Sequence, residues 1–286
     1  MKILLFSFCV WMQAISACGS LISLYEFNGN FSDSFSNNVD LVEYNNASSV
    51  FNAGFWTWTA AANPGGGLIM DLNAPRASLY SIGLRLKFDI TSSGYRKIID
   101  FKNQAADDGL YFLNNTLTFY PLIGSSTVVS NNTFIDLVIT RDGSSVISVY
   151  ANGNSNPVFA FSDSDNRGVA IVTNSLARFR LFHDDNLQTT EWSPGGTISE
   201  IRVWNHVLAP SEIPGAFGTE LTILRVFNSI FISWPSSFTG FTLEENTNLS
   251  LTSSWVAVPQ NYVTNQAQIF VQIPIGPGNK FFRLKK

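Results

Sequence analysis

Between residues 80 and 90 the chain alternates without a break. Tyr80, Ile82, Leu84, Leu86, Phe88 and Ile90 fall on one parity, and Ser81, Gly83, Arg85, Lys87 and Asp89 on the other. Successive strand side chains point to opposite faces, so this spacing predicts a half-buried strand with one apolar and one polar face. Residues 110–120 give a second case, in which Asn114-Asn115 separates two β-rich runs. Asparagine tolerates the positive φ that a two-residue hairpin turn demands, and the turn then sets the register. Leu113 faces Thr116, Phe112 faces Leu117, Tyr111 faces Thr118 and Leu110 faces Phe119. Leu110, Phe112, Leu117 and Phe119 thus share the face assigned to the core, and Tyr111, Leu113, Thr116, Thr118 and Tyr120 share the other.

Further strands are predicted over 135–140, 146–151, 177–182 and 197–204, with turns at Asp142-Gly143, Asn152-Gly153 and Pro194-Gly195-Gly196. Helix signals reduce to one turn, 210–213, where the missing N–H of Pro210 costs nothing. Pro214, Gly215 and Gly218 then interrupt the pattern, and six short strands follow over 221–227, 230–234, 240–244, 255–258, 268–273 and 281–284. Short strands with turns of this kind predict an all-β chain. Its expected parts are a two-sheet jelly-roll sandwich over 18–213, a linker over 214–220, and a smaller immunoglobulin- or fibronectin-like β-sandwich over 221–286.

Composition supports packed cores: of 286 residues 45% are hydrophobic and only 13% charged, which excludes disorder of the whole chain. A net charge of -4, with no Lys/Arg run beyond Lys285-Lys286, excludes an electrostatic grip on nucleic acid or anionic lipid. Lys2, the apolar run from Ile3 to Met12, and the small Ser16 and Ala17 have the layout of a secretory signal peptide, so export to the cell surface or the medium is expected. Ile15-Ser16-Ala17-Cys18 also resembles a bacterial lipobox, in which Cys18 would carry a lipid anchor; ordinary cleavage after Ala17, leaving a free Cys18, is the other reading. No later stretch reaches the ~18 consecutive apolar residues of a membrane helix. Cys9 lies in the segment to be removed, so no internal disulfide is expected and the cores must hold the fold.

Three groups of residues carry a family resemblance. They are Tyr25-Glu26-Phe27-Asn28-Gly29-Asn30 with Asp33, then Val149-Tyr150-Ala151-Asn152-Gly153, and Gly196-Thr197-Ile198-Ser199-Glu200-Ile201-Arg202-Val203-Trp204-Asn205 with Leu208 and Glu212-Ile213. On these the segment 24–213 resembles the LamG-like, concanavalin A-like lectin/glucanase superfamily. Lys97-Ile98-Ile99-Asp100-Phe101, Asp108-Gly109-Leu110-Tyr111 and Thr140-Arg141-Asp142 look like its bacterial exported members. Ile232-Ser233-Trp234-Pro235 and Phe281-Phe282-Arg283-Leu284 resemble a small β-sandwich appended to secreted proteins of Verrucomicrobia-like bacteria. The resemblance implies a jelly roll with a concave face, a scaffold used for glycan binding, adhesion and glycoside hydrolysis alike. Fold does not choose among them.

Chemistry narrows the choice. Hydrolases of this superfamily place carboxylates in a Glu-x-Asp-x-x-Glu pattern, and none occurs here. Glu244-Glu245 and Asp184-Asp185 are adjacent pairs, whose members would point to opposite faces of a strand. His183 and His206 are the only histidines, without zinc spacing, and no Gly-x-Ser-x-Gly elbow supports a triad. Calcium is the better metal expectation, with Asp107, Asp108, Asp184 and Asp185 as oxygen donors near turns and Asp163/Asp165 as a further pair; turn-opening by the same residues is the competing reading. For a ligand, Tyr111 and Tyr120 flank Thr118 and offer flat rings to a sugar, joined by Arg178 and Arg180 if their strand presents the same face. The alternative is that the tyrosines cover the core edge. Trp56 and Trp58 share a face as core or as platform. The expected function is a non-enzymatic exported protein that binds glycans or other surface polymers; a structural or adhesive role, and glycan hydrolysis, are the alternatives.

Overall fold

Alternating runs of this kind bury one face each, and the chain pairs them into sheets. A computed structural model describes residues 21–35, 37–52, 54–60, 66–185, 195–217, 221–235, 241–248, 255–264 and 268–285; the expected signal segment and Cys18 lie outside them. Residues 21–204 build two eight-stranded antiparallel sheets. The first runs Phe159–Ser162, Val146–Ala151, Ile135–Arg141, Tyr80–Phe88, Gly196–Trp204, Trp56–Ala60, Asn46–Phe51, with Leu21–Tyr25 also paired to Gly196–Trp204. The second runs Ile123–Val128, Thr116–Tyr120, Gly109–Leu113, Tyr95–Asp100, Leu176–Leu181, Gly67–Asn73, Val42–Tyr44, with Ile171–Thr173 beside Leu176–Leu181.

Inward-facing residues of both sheets meet in one core. Tyr80, Ile82, Leu84, Leu86 and Phe88 join Leu110, Phe112, Leu117, Phe119 and Phe179, and Phe88 meets Phe112 edge to face at 5.3 Å. Trp56 and Trp58 belong to this core, stacked at 4.9 Å, rather than to a platform.

The strand Tyr80–Phe88 differs from expectation on its other face, which is buried too. After Trp204 the chain turns back over the first sheet, and Leu208, Ile213, Ala216 and Phe217 pack with Val138, Tyr150 and Trp204 in a second apolar cluster. Ala216 and Phe217, read from sequence as linker, are therefore part of the packed sandwich. Gly83 is required beneath them, since a Cβ there would lie 2.9 Å from Trp204 and 3.0 Å from Phe217. Arg85 tolerates this cover because Nε and Nη2 donate to Asp136 at 2.7 and 3.1 Å, while its guanidinium lies 4.9 Å from the Phe217 ring.

Residues 222–285 pair only among themselves among the described residues. Thr222–Val226, Ser229–Pro235, Gln268–Pro274 and Val263–Thr264 form a four-stranded sheet, and Val256–Ala257, Thr242–Asn246 and Phe281–Lys285 a three-stranded one. Their shared core is Ile232, Trp234, Leu243, Val258, Val271 and Ile273. Glu244 and Glu245 do face opposite ways: Glu244 takes Arg283 and Lys285, and Glu245 takes Lys280. Among the described residues no helix is long and apolar enough to cross a membrane.

Candidate functional site on the outer face of the second sheet

The hairpin register is the expected one, with Tyr111 opposite Thr118 and Phe112 opposite Leu117, and Asn114 and Asn115 take φ of 47° and 66°. Next to it, Lys97 pairs with Tyr111 but Ile99 pairs with Leu110, so a β-bulge intervenes. The bulge sends both Ile98 and Ile99 into the core and leaves Lys97 on the outer face. Gly109 makes this possible. Its φ is +143° and a Cβ would sit 2.3 Å from the Ile99 carbonyl oxygen. Arg180 pairs with Asp100 across the next strand, and because Ala177, Phe179 and Leu181 point inward, Arg178 and Arg180 point outward. Tyr111, Thr118, Tyr120, Arg178 and Arg180 are thus brought to one face.

They are not equally open, and Tyr111 is not a platform. Its ring is 0% exposed, with Tyr95 and Tyr120 edge-on at 5.5 and 6.3 Å and the Lys97 Nζ 4.2 Å from the ring centre. Its hydroxyl donates to Asp107 Oδ1 at 2.8 Å and Asp184 Oδ1 at 3.3 Å. Burial, with the negative charge of these carboxylates, holds the phenol far above its ordinary pKa. Thr118 is buried beside it, whereas Tyr120 is half-buried.

Beneath this tyrosine lies a cluster that only partly matches the expected calcium donors. Asp107, Asp184 and Asp185 bring carboxylate oxygens within 4.8 Å of one another, close enough to hold a hard cation. A cation is already there: Lys97, fully buried, places Nζ 3.3 Å from Asp184 Oδ1 and 3.8 Å from Asp185 Oδ2, and donates to the Asp108 carbonyl at 3.1 Å. Burial is the main cause that raises the Asp184 carboxyl above the usual carboxylate range, with Lys97 opposing it; burial raises Asp107 likewise. Asp184 Oδ2 is buried without a hydrogen-bond partner among the described residues. Asp108 is not a member of the cluster, because its Oδ1 takes Arg167 Nη1 at 2.5 Å. Asp163 and Asp165 do not converge either: Asp163 holds Arg141 at 2.8 Å, and Asp165 is exposed near Arg167.

Three residues that no pattern announced complete the face. Tyr44, 37% exposed, sits on the edge strand Val42–Tyr44 under the Arg180 guanidinium, 4.7 Å from the ring centre. His183 meets the same ring edge-on at 4.6 Å, and Asn103 Oδ1 accepts from Arg180 Nε at 2.7 Å. Arg178 forms a two-pronged pair with Asp71 at 2.8 and 2.7 Å. His206, by contrast, faces Glu212 at 3.1 Å in the cover of the first sheet.

No protein-family model matches the chain, and no curated protein sequence does. Solved structures are similar in fold. The binding domain of botulinum neurotoxin DC, in complex with rat synaptotagmin II, aligns at 11% identity and a TM-score of 0.53 over 92% of this chain and 73% of its own. Botulinum neurotoxin type C, whose cell entry is described as dependent upon interaction with two ganglioside molecules, aligns at 13% identity and a TM-score of 0.50 over 79% of this chain and 59% of its own. The Trypanosoma rangeli sialidase in complex with sialic acid aligns at 14% identity and a TM-score of 0.51 over 70% of this chain, which spans only 34% of the sialidase's length. At such identities the likeness establishes an all-β sandwich fold and nothing finer.

Proposed function

We propose that this chain is a LamG-like, exported, non-enzymatic protein that binds glycans or another cell-surface polymer on the outer face of its second sheet. The observation that carries this reading is the rim of Tyr44, Arg178 and Arg180. A partly exposed ring lies under one guanidinium, and a second guanidinium, its side chain 34% exposed, stands two residues away on the same face. A flat ring suits the C–H face of a sugar, and a guanidinium fork suits its hydroxyl or carboxylate groups. Half-buried Tyr120 extends the aromatic surface. The ganglioside-dependent toxin and the sialidase seen with sialic acid support sugars as the ligand class.

The test is a glycan array of neutral and acidic sugars probed with the mature chain, with product analysis on the same mixtures. Saturable binding without product, lost in Tyr44→Ala at unchanged melting temperature, is expected. Product formation would make the chain a hydrolase, and no binding to any sugar would leave the structural or adhesive role. The same reading places a lipid or a free terminus at Cys18, which mass spectrometry of the chain from host membranes distinguishes. It also treats 222–285 as a separate spacer or docking unit, to be released folded by limited proteolysis between Phe217 and Leu221.

A further inference from the structure

We propose that the folded chain joins Lys97 Nζ to Asp184 Cγ in an amide bond, with loss of one water. This stands on the geometry beneath Tyr111 and is independent of the glycan-binding reading. Lys97 and Asp184 have side chains 0% and 1% exposed, and Nζ lies 3.3 Å from Asp184 Oδ1. Around the Asp184 carboxyl the groups divide by role. Oδ1 accepts from the Tyr111 hydroxyl at 3.3 Å and from the Asp185 backbone N–H at 2.9 Å. The Asp185 N–H is a fixed donor, and the single Tyr111 proton, shared with Asp107 Oδ1 at 2.8 Å, can swing fully to this oxygen as it gains charge when an amine adds to Cγ. Oδ2 has no hydrogen-bond partner among the described residues and is the oxygen able to leave. The Asp185 carboxylate closes the cluster, with Oδ2 3.8 Å from Nζ and a carboxylate oxygen within 4.8 Å of one of Asp184, so that a short approach on either side lets it carry protons between the two.

The step balances without any co-reactant. Starting from the Lys97 ammonium, the Asp184 carboxylic acid and the Asp185 carboxylate, Lys97 first hands a proton to Asp185. The freed electron pair on Nζ forms the C–N bond at Cγ, and the C–O π pair moves onto Oδ1, between Tyr111 and the Asp185 N–H. Asp185 returns its proton to the Oδ2 hydroxyl, the C–O bond breaks, and water leaves. The second proton shed by nitrogen stays on Asp185. A buried ion pair is thereby replaced by a neutral amide, which relieves the desolvation of two charges held in a dry site. The bond would tie strand Tyr95–Asp100 to the segment that follows Leu176–Leu181, in a chain whose two cysteines, Cys9 and Cys18, both precede its first described strand in sequence.

Intact mass spectrometry of the purified full chain, denatured after folding, tests this directly. The wild type is expected one water lighter than its sequence, with a branched peptide containing Lys97 and Asp184 after digestion. Lys97→Arg should restore the full mass, and Tyr111→Phe should slow the loss of water in freshly refolded protein. The wild-type measurement decides the matter even if a variant fails to fold. Full mass in protein with native β-sheet circular dichroism would overturn the proposal, and so would a water loss that maps to a succinimide elsewhere.

Discussion

Replacing Tyr111 separates two incompatible roles for that side chain. Tyr111→Phe keeps the ring and removes a hydroxyl that donates to Asp107 at 2.8 Å and to Asp184 at 3.3 Å. Hydrogen bonds to charged groups contribute about 1.5–3 kcal/mol, and here Asp184 is buried and Asp107 half-buried, so the loss falls in that range rather than near zero. For a folding unit of 150–250 residues each kcal/mol moves Tm by about 2–4 °C, so a drop of roughly 3–12 °C is expected. Tyr111→Ala also deletes a ring that is fully covered, adding a cavity cost of about 3–5 kcal/mol typical of large aromatic residues. Urea titrations with an unchanged m value are the assay, since they report stability without a shift in the unfolded ensemble. A double-mutant cycle with Asp107→Asn should return a coupling of about 0.5–3 kcal/mol. If Tyr111→Phe stays within about 0.5 kcal/mol of wild type, the hydroxyl is not a buried donor and the reasoning fails.

Three further outcomes follow from the same face. Gly109→Ala should destabilise by at least the ~1–3 kcal/mol of a strained backbone, because the clash is with the Ile99 carbonyl oxygen rather than a movable side chain; Gly143→Ala, where nothing lies within 4 Å, should be near neutral in the same melts. Asp100 has its carboxyl raised above the usual value of 3.8, chiefly by burial, so the folded state holds its proton more tightly than the unfolded one. Its contribution should be full below 3.8 and decline as pH rises through the folded value, and Asp100→Asn should flatten that slope in melts from pH 3 to 8. Lys97→Met removes the amino group that occupies the cluster of Asp107, Asp184 and Asp185, so calcium at about a hundred times its Kd should stabilise that variant by about 2.7 kcal/mol while shifting wild type little. Equal responses to calcium and chelator in both chains would refute the assignment of Lys97 as the group that closes this cluster to a metal ion.

The parts legible in the sequence were those governed by local chemistry. Asn114-Asn115 specified its turn and hence the hairpin's register, and the alternation through Tyr80–Phe88 marked the core face. What was hidden depends on contacts between distant segments. The polar parity of that strand gave no hint that Trp204 and Phe217 would cover it. Asp184 and Asp185 were read as facing apart because strand geometry was assumed; the strand ends at Leu181, and beyond it adjacent carboxylates can converge. Lys97, between Arg96 and Ile98, gave no local sign of burial, because its partners lie at 107–111 and 184–185. Tyr44 had none, as a three-residue edge strand is too short to show a period.

The double cover over the first sheet also divides the molecule by how its backbone opens. Amides of Tyr80–Phe88 are bonded on both sides and roofed on both faces, so their exchange with solvent deuterium should require global unfolding. The strand Val42–Tyr44 is its opposite, with three exposed residues whose backbone pairs, among the described residues, with Gly67–Asn73 alone. Its amides should exchange through local opening at a small fraction of the global cost. A molecule seated on Tyr44 would therefore act on the softest edge of a rigid slab, slowing exchange there while leaving the interior strands unchanged.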